Sequence, residues 1–280
     1  MAVPREIKQV SYDFSGEVVL VTGAARGQGR AHAIGFAEAG ADVAIADIGH
    51  GIETIPYELS SAEDLEAVKA EIEALGVRCH SVLCDVREAE QVNRMVASTV
   101  DALGSLDVLV CNAGTESSYR FQDLEEPAWE AIIDTHLRGG YLCSRAAARQ
   151  MERQGRGKIL VTGSVNSFTG LPRNAHYVTA KHGLLGLVRS LALELGSVGI
   201  RVNLVCPGAV DTPMITGMYN DTEQEFVDGL GAVSGVWNVF DPDEIMAPEE
   251  ITNAMLWLAS DAADYVTGTA LVVDAGYLTK

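Results

Sequence analysis

Short apolar runs alternate along this chain with longer stretches in which apolar residues return every three or four positions. Val18-Val-Leu-Val-Thr22 is apolar at consecutive positions, the mark of a strand covered on both faces. Further strands are expected at 42–47, 78–83, 106–111, 158–162, 200–205 and 270–274, about seven in all. Between them, the segments 30–39, 62–75, 88–103, 125–154 and the one following Pro172 carry helical spacing, and a last helix is expected to begin at Pro248. Buried strands alternating with helices build βαβ units. The chain is therefore expected to be α/β, a single domain over 1–280 in which a doubly wound parallel sheet is flanked by helices. No Pro- or Ser-rich linker, low-complexity tract or repeat interrupts the alternation.

A few segments break the rhythm. Residues 1–13 form a mixed, charged N-terminal extension. Residues 48–64 make an inserted loop of seventeen residues where such units ordinarily spend about two to six. Ile48, Ile52, Ile55, Pro56, Tyr57 and Leu59 make it too apolar for a free excursion, so it is expected to fold over something nearby. Residues 214–246, with Met214, Met218, Tyr219, Phe226, Trp237 and Phe240, have the composition of a substrate lid. Gly139-Gly140 is expected to interrupt the 125–154 helix, at a cost of about 1 kcal/mol each against Ala that close helix packing would justify.

Composition adds mainly exclusions. A formal net charge of −19 argues against nucleic acid and anionic membrane surfaces as partners. Between Arg201 and Lys280 there is no Lys or Arg, whereas thirteen Asp and Glu fall there. That span reads as a solvated acidic surface, or as a field that repels phosphate-bearing substrates and spares neutral ones. The five cysteines are scattered in apolar runs and read as reduced, buried small hydrophobes; the six His show no ligand spacing, so no metal site is expected. The first sixteen residues lack the apolar core of a signal peptide, and no apolar run reaches the length of a membrane span, so a soluble, cytoplasmic protein is expected.

Candidate chemistry begins where the first strand ends. Gly23-Ala-Ala-Arg-Gly-Gln-Gly29 joins a buried strand to a helix, and glycines there let backbone amides approach a phosphate at the helix N-terminus. The spacing, Gly-x3-Gly-x-Gly, is neither the Gly-x-Gly-x2-Gly fingerprint nor a P-loop, and a tight turn without a ligand also accounts for it. Asp47, ending the second strand, is placed to accept both hydroxyls of an adenosine ribose and to repel a 2′-phosphate, which points to NAD. Arg26 points the other way, as a cation that would suit that phosphate. Further along, Tyr177 and Lys181 stand one helical turn apart. An ammonium beside a phenol stabilises the phenolate and draws its pKa toward the working range. Ser164, just beyond the 158–162 strand, can bring a hydroxyl to the same place. Taken alone, Tyr177 and Lys181 are more readily read as a solvated pair on a helix.

Thr22-Gly-x3-Gly-x-Gly29, Asp85-Val86, Asn112-Ala-Gly114, Ser164, Tyr177-x3-Lys181 and Pro207-Gly-x-Val-x-Thr212, in this order and at these intervals, resemble the short-chain dehydrogenase/reductase family over about residues 14–277. The loop after Asp47 and the His-Tyr-Val-x-Ala-Lys-His-Gly helix are similar to the NAD-dependent, carveol-dehydrogenase-like enzymes linked to mycofactocin. The resemblance implies a Rossmann-type sheet with Tyr177 as the acid/base. Lys181 would lower its pKa and hold the nicotinamide ribose, and Ser164 would polarise the substrate oxygen. It implies that Gly23, Arg26, Gly27, Gln28 and Gly29 form the pyrophosphate turn and that Asp47 and Ile48 meet the adenosine ribose. Asp85 and Val86 would meet the adenine, Asn112, Ala113 and Gly114 the cofactor ribose region, and Pro207, Gly208, Val210 and Thr212 the carboxamide side. It also implies a homo-oligomer, dimer or tetramer, formed through the two long helices that carry Gly139-Gly140 and residues 184–195.

Two positions depart from the family. Cys111 replaces a frequent Asn, and His136 stands where the family usually has the Asn that holds a proton-relay water; a His there brings a charge that can change near neutral pH. The leading expectation is an NAD-dependent oxidoreductase on a hydrophobic secondary alcohol or its ketone, of cyclic terpenoid or steroid type, with a redox partner that recycles bound NAD. An NADPH-dependent acyl-thioester ketoreductase and a non-catalytic dinucleotide sensor are the alternatives.

Overall fold

The computed structural model describes residues 10–219, 238–241 and 245–279, without the side chains of 218 and 219. Part of the N-terminal extension and most of the expected lid, Phe226 and Trp237 included, thus lie outside the described residues. Seven strands, β1 (Val18–Thr22), β2 (Asp42–Asp47), β3 (Cys79–Leu83), β4 (Val108–Cys111), β5 (Gly157–Thr162), β6 (Ile200–Pro207) and β7 (Ala270–Val273), form one sheet in the order β3-β2-β1-β4-β5-β6-β7. Every pair is parallel: Val18 of β1 lies beside Asp42 of β2, and Val19 beside Val108 of β4.

Helices cover both faces, which is why the central strands β1 and β4 are buried at every position. Val19, Val21, Val43, Ile45 and Val108 pack against α1 (Gly27–Glu38), α2 (Ala62–Ala74) and α8 (Pro248–Ala259). Their neighbours Leu20, Ala44, Leu109 and Ile159 pack on the other face, against α3 (Ala89–Leu103), α5 (Gly139–Gln154) and α6 (Ala175–Leu195). Each such large side chain withdrawn from water stabilises the fold by roughly 1.5–3 kcal/mol. Two further helices, α4 (Glu126–Ile133) and α7 (Pro213–Tyr219), stand at the C-terminal edge of the sheet connections. Among the described residues no helix is long and apolar enough to cross a membrane.

Two expected boundaries move. The inserted loop ends at Ser61, because the Ser61 hydroxyl accepts from Asp64 N at 3.1 Å and the Asp64 carboxylate accepts from Ser61 N at 2.8 Å, a capping box that starts α2 at Ala62. The helix expected over 125–154 is broken by a π-helical turn at Asp134–Arg138, one turn before the glycine pair. Gly139 and Gly140 remain helical and serve close approach: a Cβ on Gly139 would sit 2.8 Å from Val86 Cγ2, and one on Gly140 2.9 Å from Leu184 Cδ2. The extra residue in the π turn rotates His136 into the interior.

The two helices α1 and α8 meet at a buried imidazole. His32 Nδ1 lies 2.8 Å from Thr252 Oγ1, and burial pushes the ring's pKa down to about 3. The folded chain therefore keeps His32 neutral while the unfolded chain binds a proton below pH 6.5, so stability present at neutral pH is lost as the pH falls from 6.5 toward 3. Between pH 7 and pH 5 this amounts to about 2 kcal/mol. Urea unfolding at the two pH values is expected to cost wild type about that much more than His32→Gln; equal losses would mean that the imidazole protonates inside the fold.

Candidate active site

A parallel sheet opens a crevice where neighbouring strands send their connections to opposite faces, and here that happens beyond the C-terminal ends of β1 and β4. Thr22 ties these ends together: its hydroxyl donates to Val110 O at 3.4 Å and accepts from Asn112 N at 3.0 Å and Ala113 N at 3.1 Å. Asn112 Nδ2 returns the tie to Gly23 O at 3.3 Å. Gly23 takes a left-handed φ of +67°, and a Cβ on it would fall 2.7 Å from Ala113 Cα, so a side chain is excluded twice. Gly29 faces the Gly23 carbonyl oxygen so closely that no Cβ fits there either. The glycines thus bring α1's first turn against the strand ends. That turn has no side-chain cap, and the buried Gln28 Oε1 has no partner among the described residues. The uncapped turn fits an anionic ligand, and the Gln28 oxygen, which only accepts, fits a hydroxyl or N–H donor of such a ligand.

At the β2 end of the crevice, the Asp47 carboxylate accepts from Ala25 N at 2.9 Å, Ile48 N at 2.8 Å and Ser60 Oγ at 2.6 Å. A carboxylate offers about four acceptor positions, so two ribose hydroxyls bind here only if the Ser60 hydroxyl turns away. Arg26 does not face the space beside Asp47 freely. Its Nη1 donates to Glu58 O at 2.7 Å and its guanidinium lies 5.8 Å from the centre of the Tyr57 ring. Of the residues expected at the adenine, Val86 lines the crevice; the Asp85 carboxylate is held at 2.7 Å by Arg87 instead and does not line it.

Ser164, Tyr177 and Lys181 come together at the other end, beside Pro207, Gly208, Val210 and Thr212. Ser164 leaves β5 in extended conformation, and its hydroxyl accepts from Asn166 N at 3.1 Å. Lys181 Nζ is buried, donates to Thr162 O at 2.7 Å, and stands 5.4 Å from the centre of the Tyr177 ring. Burial, with the Glu116 carboxyl second, pushes the Tyr177 phenol above its ordinary value, and the Ser164 hydroxyl works against the rise. Burial also pushes Lys181 down to about 8, which leaves it protonated at neutral pH. His136 is edge-on to Tyr177, with ring centres 5.2 Å apart, and its Nε2 lies 2.6 Å from Thr115 O. The charge change expected of it near neutral pH is not found: burial, then the Lys181 cation, hold its pKa well below the usual imidazole value.

Sequence reasoning missed Glu116. It follows Asn112-Ala-Gly114 by two residues, lines the crevice and is almost wholly buried; its position just after that motif was the available signal. Tyr57, counted only among the apolar residues of the inserted loop, crosses to meet it: Glu116 N donates to Tyr57 Oη at 3.0 Å. Tyr57 also reaches α7, since a Cβ on Gly217 would fall 2.7 Å from Tyr57 Cβ. Asp211, two residues before α7, donates from its N to Met246 O at 2.9 Å. No group of three or more potential metal ligands exists among the described residues.

Known proteins resemble the chain over nearly its whole length. The family model described as enoyl-(acyl carrier protein) reductase matches residues 23–278. The (−)-trans-carveol dehydrogenase of Rhodococcus erythropolis is 38% identical over 273 residues, 95% of this chain and 98% of that protein. A 3-oxoacyl-(acyl carrier protein) reductase of Staphylococcus aureus is 37% identical over 257 residues, 92% of this chain and 96% of that protein. Among solved structures, carveol dehydrogenase from Mycobacterium avium in complex with NAD superposes with a TM-score of 0.88 at 36% identity, covering 96% of this chain and 100% of that one.

Proposed function

The chain belongs to the short-chain dehydrogenase/reductase family, and on that premise we propose that it interconverts a neutral, hydrophobic secondary alcohol and its ketone with NAD. The observation that carries this reading is the convergence of Ser164, Tyr177 and Lys181 on one crevice that also holds the glycine turn. Ser164 donates to the substrate oxygen and fixes it against Tyr177. In the oxidising direction the Tyr177 phenolate takes the hydroxyl proton while the C–H bond gives up its hydride. When bound, oxidised NAD supplies the acceptor carbon for that hydride and a positive ring. Lys181, tied to Thr162 O, keeps a cation near the phenolate that burial would otherwise disfavour.

NAD is favoured over NADP by Asp47 at the β2 end and by Arg26, which is turned to Glu58 O and Tyr57. A thioester ketoreductase using NADPH is the second reading, supported by the similarity to the Staphylococcus aureus reductase. The acid-rich span beyond Arg201 weighs against it, since it repels phosphate-bearing substrates. A non-catalytic sensor has no use for three polar groups directed into one crevice. The inserted loop supports slow release of the dinucleotide: through Arg26, Tyr57 and Ser60 it joins the glycine turn, α7, the Glu116 segment and Asp47. Release then requires these contacts to open, which suits an enzyme whose bound NAD is recycled by a redox partner. An oligomer formed through α5 and α6 is supported by Tyr141 and Leu193, large side chains exposed on those helices.

Three outcomes test the reading. Tyr177→Phe is expected to lower kcat by about 100-fold or more with NAD affinity nearly intact, measured by stopped-flow and by titration of bound NAD; a variant keeping a tenth of the activity removes Tyr177 from the mechanism. Wild type is expected to prefer NAD in kcat/KM, with Asp47→Ala narrowing the preference; comparable use of NADP by wild type overturns the assignment. NAD is expected to remain on the purified protein, turnover rising when an artificial electron acceptor is added. Tyr57→Ala should then speed NAD exchange. Protein that arrives without NAD and exchanges it rapidly contradicts the retention.

A further inference from the structure

We propose that Glu116 reads the substrate, and that the alcohol taken by this site carries a second hydroxyl group, bound by the Glu116 carboxyl while the first faces Ser164 and Tyr177. This rests on the crevice being an alcohol-oxidising site. Hydride and proton transfer are served by Ser164, Tyr177 and Lys181, and Glu116 acts on Tyr177 and Lys181 only through its charge. A carboxyl that is 6% exposed is nonetheless expensive to bury unless its oxygens find donors.

Protein donors satisfy only part of it. Asn174 Nδ2 donates to Oε1 at 2.6 Å, and no hydrogen bond among the described residues reaches Oε2. The residue lines the crevice, so the open position faces a ligand rather than the core. Its location relative to the reacting atoms is also fixed. Asn174 precedes α6 directly and lies three residues before Tyr177, and it donates as well to Ser117 O at 3.3 Å. On the other side, Glu116 N is held by Tyr57 Oη at 3.0 Å. The carboxyl is therefore mounted on the same helix end as the phenol.

The surrounding charges select the class of group. Burial pushes the Glu116 carboxyl up to about 7, with Lys181 opposing the rise, so near neutral pH the group is found both with and without its proton. A hydroxyl suits either form, since it donates to a carboxylate and accepts from a carboxylic acid. A carbonyl only accepts. An ammonium would meet the Lys181 cation, and a carboxylate or phosphate would meet Glu116 itself. The remaining neighbours add no charge: His136 is held neutral, His176 is pushed down by burial, and Tyr57 is pushed up to about 12.

The experiment compares cyclohexanol with the 1,2-, 1,3- and 1,4-cyclohexanediols as reductants of NAD, on wild type, Glu116→Gln and Glu116→Leu. For wild type, the best diol is expected to exceed cyclohexanol in kcat/KM by about 10-fold or more, mostly through KM, after correction for its two reactive hydroxyls. Glu116→Leu is expected to bring that ratio near one whatever its rate on cyclohexanol, since a change at Tyr177 or Lys181 scales every substrate alike, and Glu116→Gln, which keeps an acceptor for Asn174, to fall between. Wild type that oxidises cyclohexanol with no preference for any diol overturns the role of Glu116 and leaves the alcohol reading intact. A Glu116→Leu variant that loses the same factor on every substrate, with a lower Tm, makes the residue a structural tether and overturns the proposal. If wild type retains NAD affinity yet oxidises none of the four alcohols, both readings fall together.

Discussion

The site depends on how closely the ends of β1 and β4 approach one another. The Thr22 hydroxyl, at the end of β1, gathers the backbone at the end of β4, and Gly23 lies where any side chain would strike Ala113. That contact puts the glycine turn and the Asn112–Glu116 segment on one crevice, with α1's N-terminus aimed across it. Burial of the strands on both faces makes the platform rigid, since neither strand can shift without opening a layer of packed side chains. The neighbouring β5 and β6 then deliver Ser164 and Pro207 at the same height.

Electrostatics in the crevice follow from burial more than from pairing. Lys181 is a cation held by a single carbonyl, Tyr177 is a phenol pushed upward, and His136 is an imidazole kept neutral. Charge moved onto any of them is felt by the others because little water screens the space between. Glu116 belongs to this group: its carboxyl raises the Tyr177 phenol and supports the Lys181 cation at once. The π turn at Asp134–Arg138 is the backbone device that carries His136 into the same space.

The inserted loop gives Arg26 a structural occupation. An arginine beside a glycine turn is a natural partner for a 2′-phosphate, yet here its guanidinium is spent on the Glu58 carbonyl and the Tyr57 ring. One side chain thus fastens the loop and removes a free cation from the Asp47 end of the crevice. Tyr57 continues the strap to Glu116 and to Gly217 of α7, so one segment touches both the Asp47 end and the Glu116 end of the crevice.

The chain's own periodicity determined most of the fold. Apolar runs of four to eight residues fixed seven strands, helical spacing between them fixed the crossovers, and the parallel doubly wound sheet followed because both patterns report local burial. The glycine turn, Ser164, Tyr177 and Lys181 were legible for the same reason: each lies at a strand end or at one-turn spacing on a helix. Tertiary structure alone decided the rest. Arg26 meets a carbonyl 32 residues away and Glu116 N a phenol 59 residues away, and Asp85 turns to Arg87 rather than to the crevice. The helix expected to break at Gly139-Gly140 breaks instead at His136, because the glycines are used for contact with Val86 and Leu184. Local spacing records which face of an element is buried; it carries no record of which distant side chain fills the space opposite, and that pairing is what sets the direction of Arg26, the burial of Glu116 and the charge of His136.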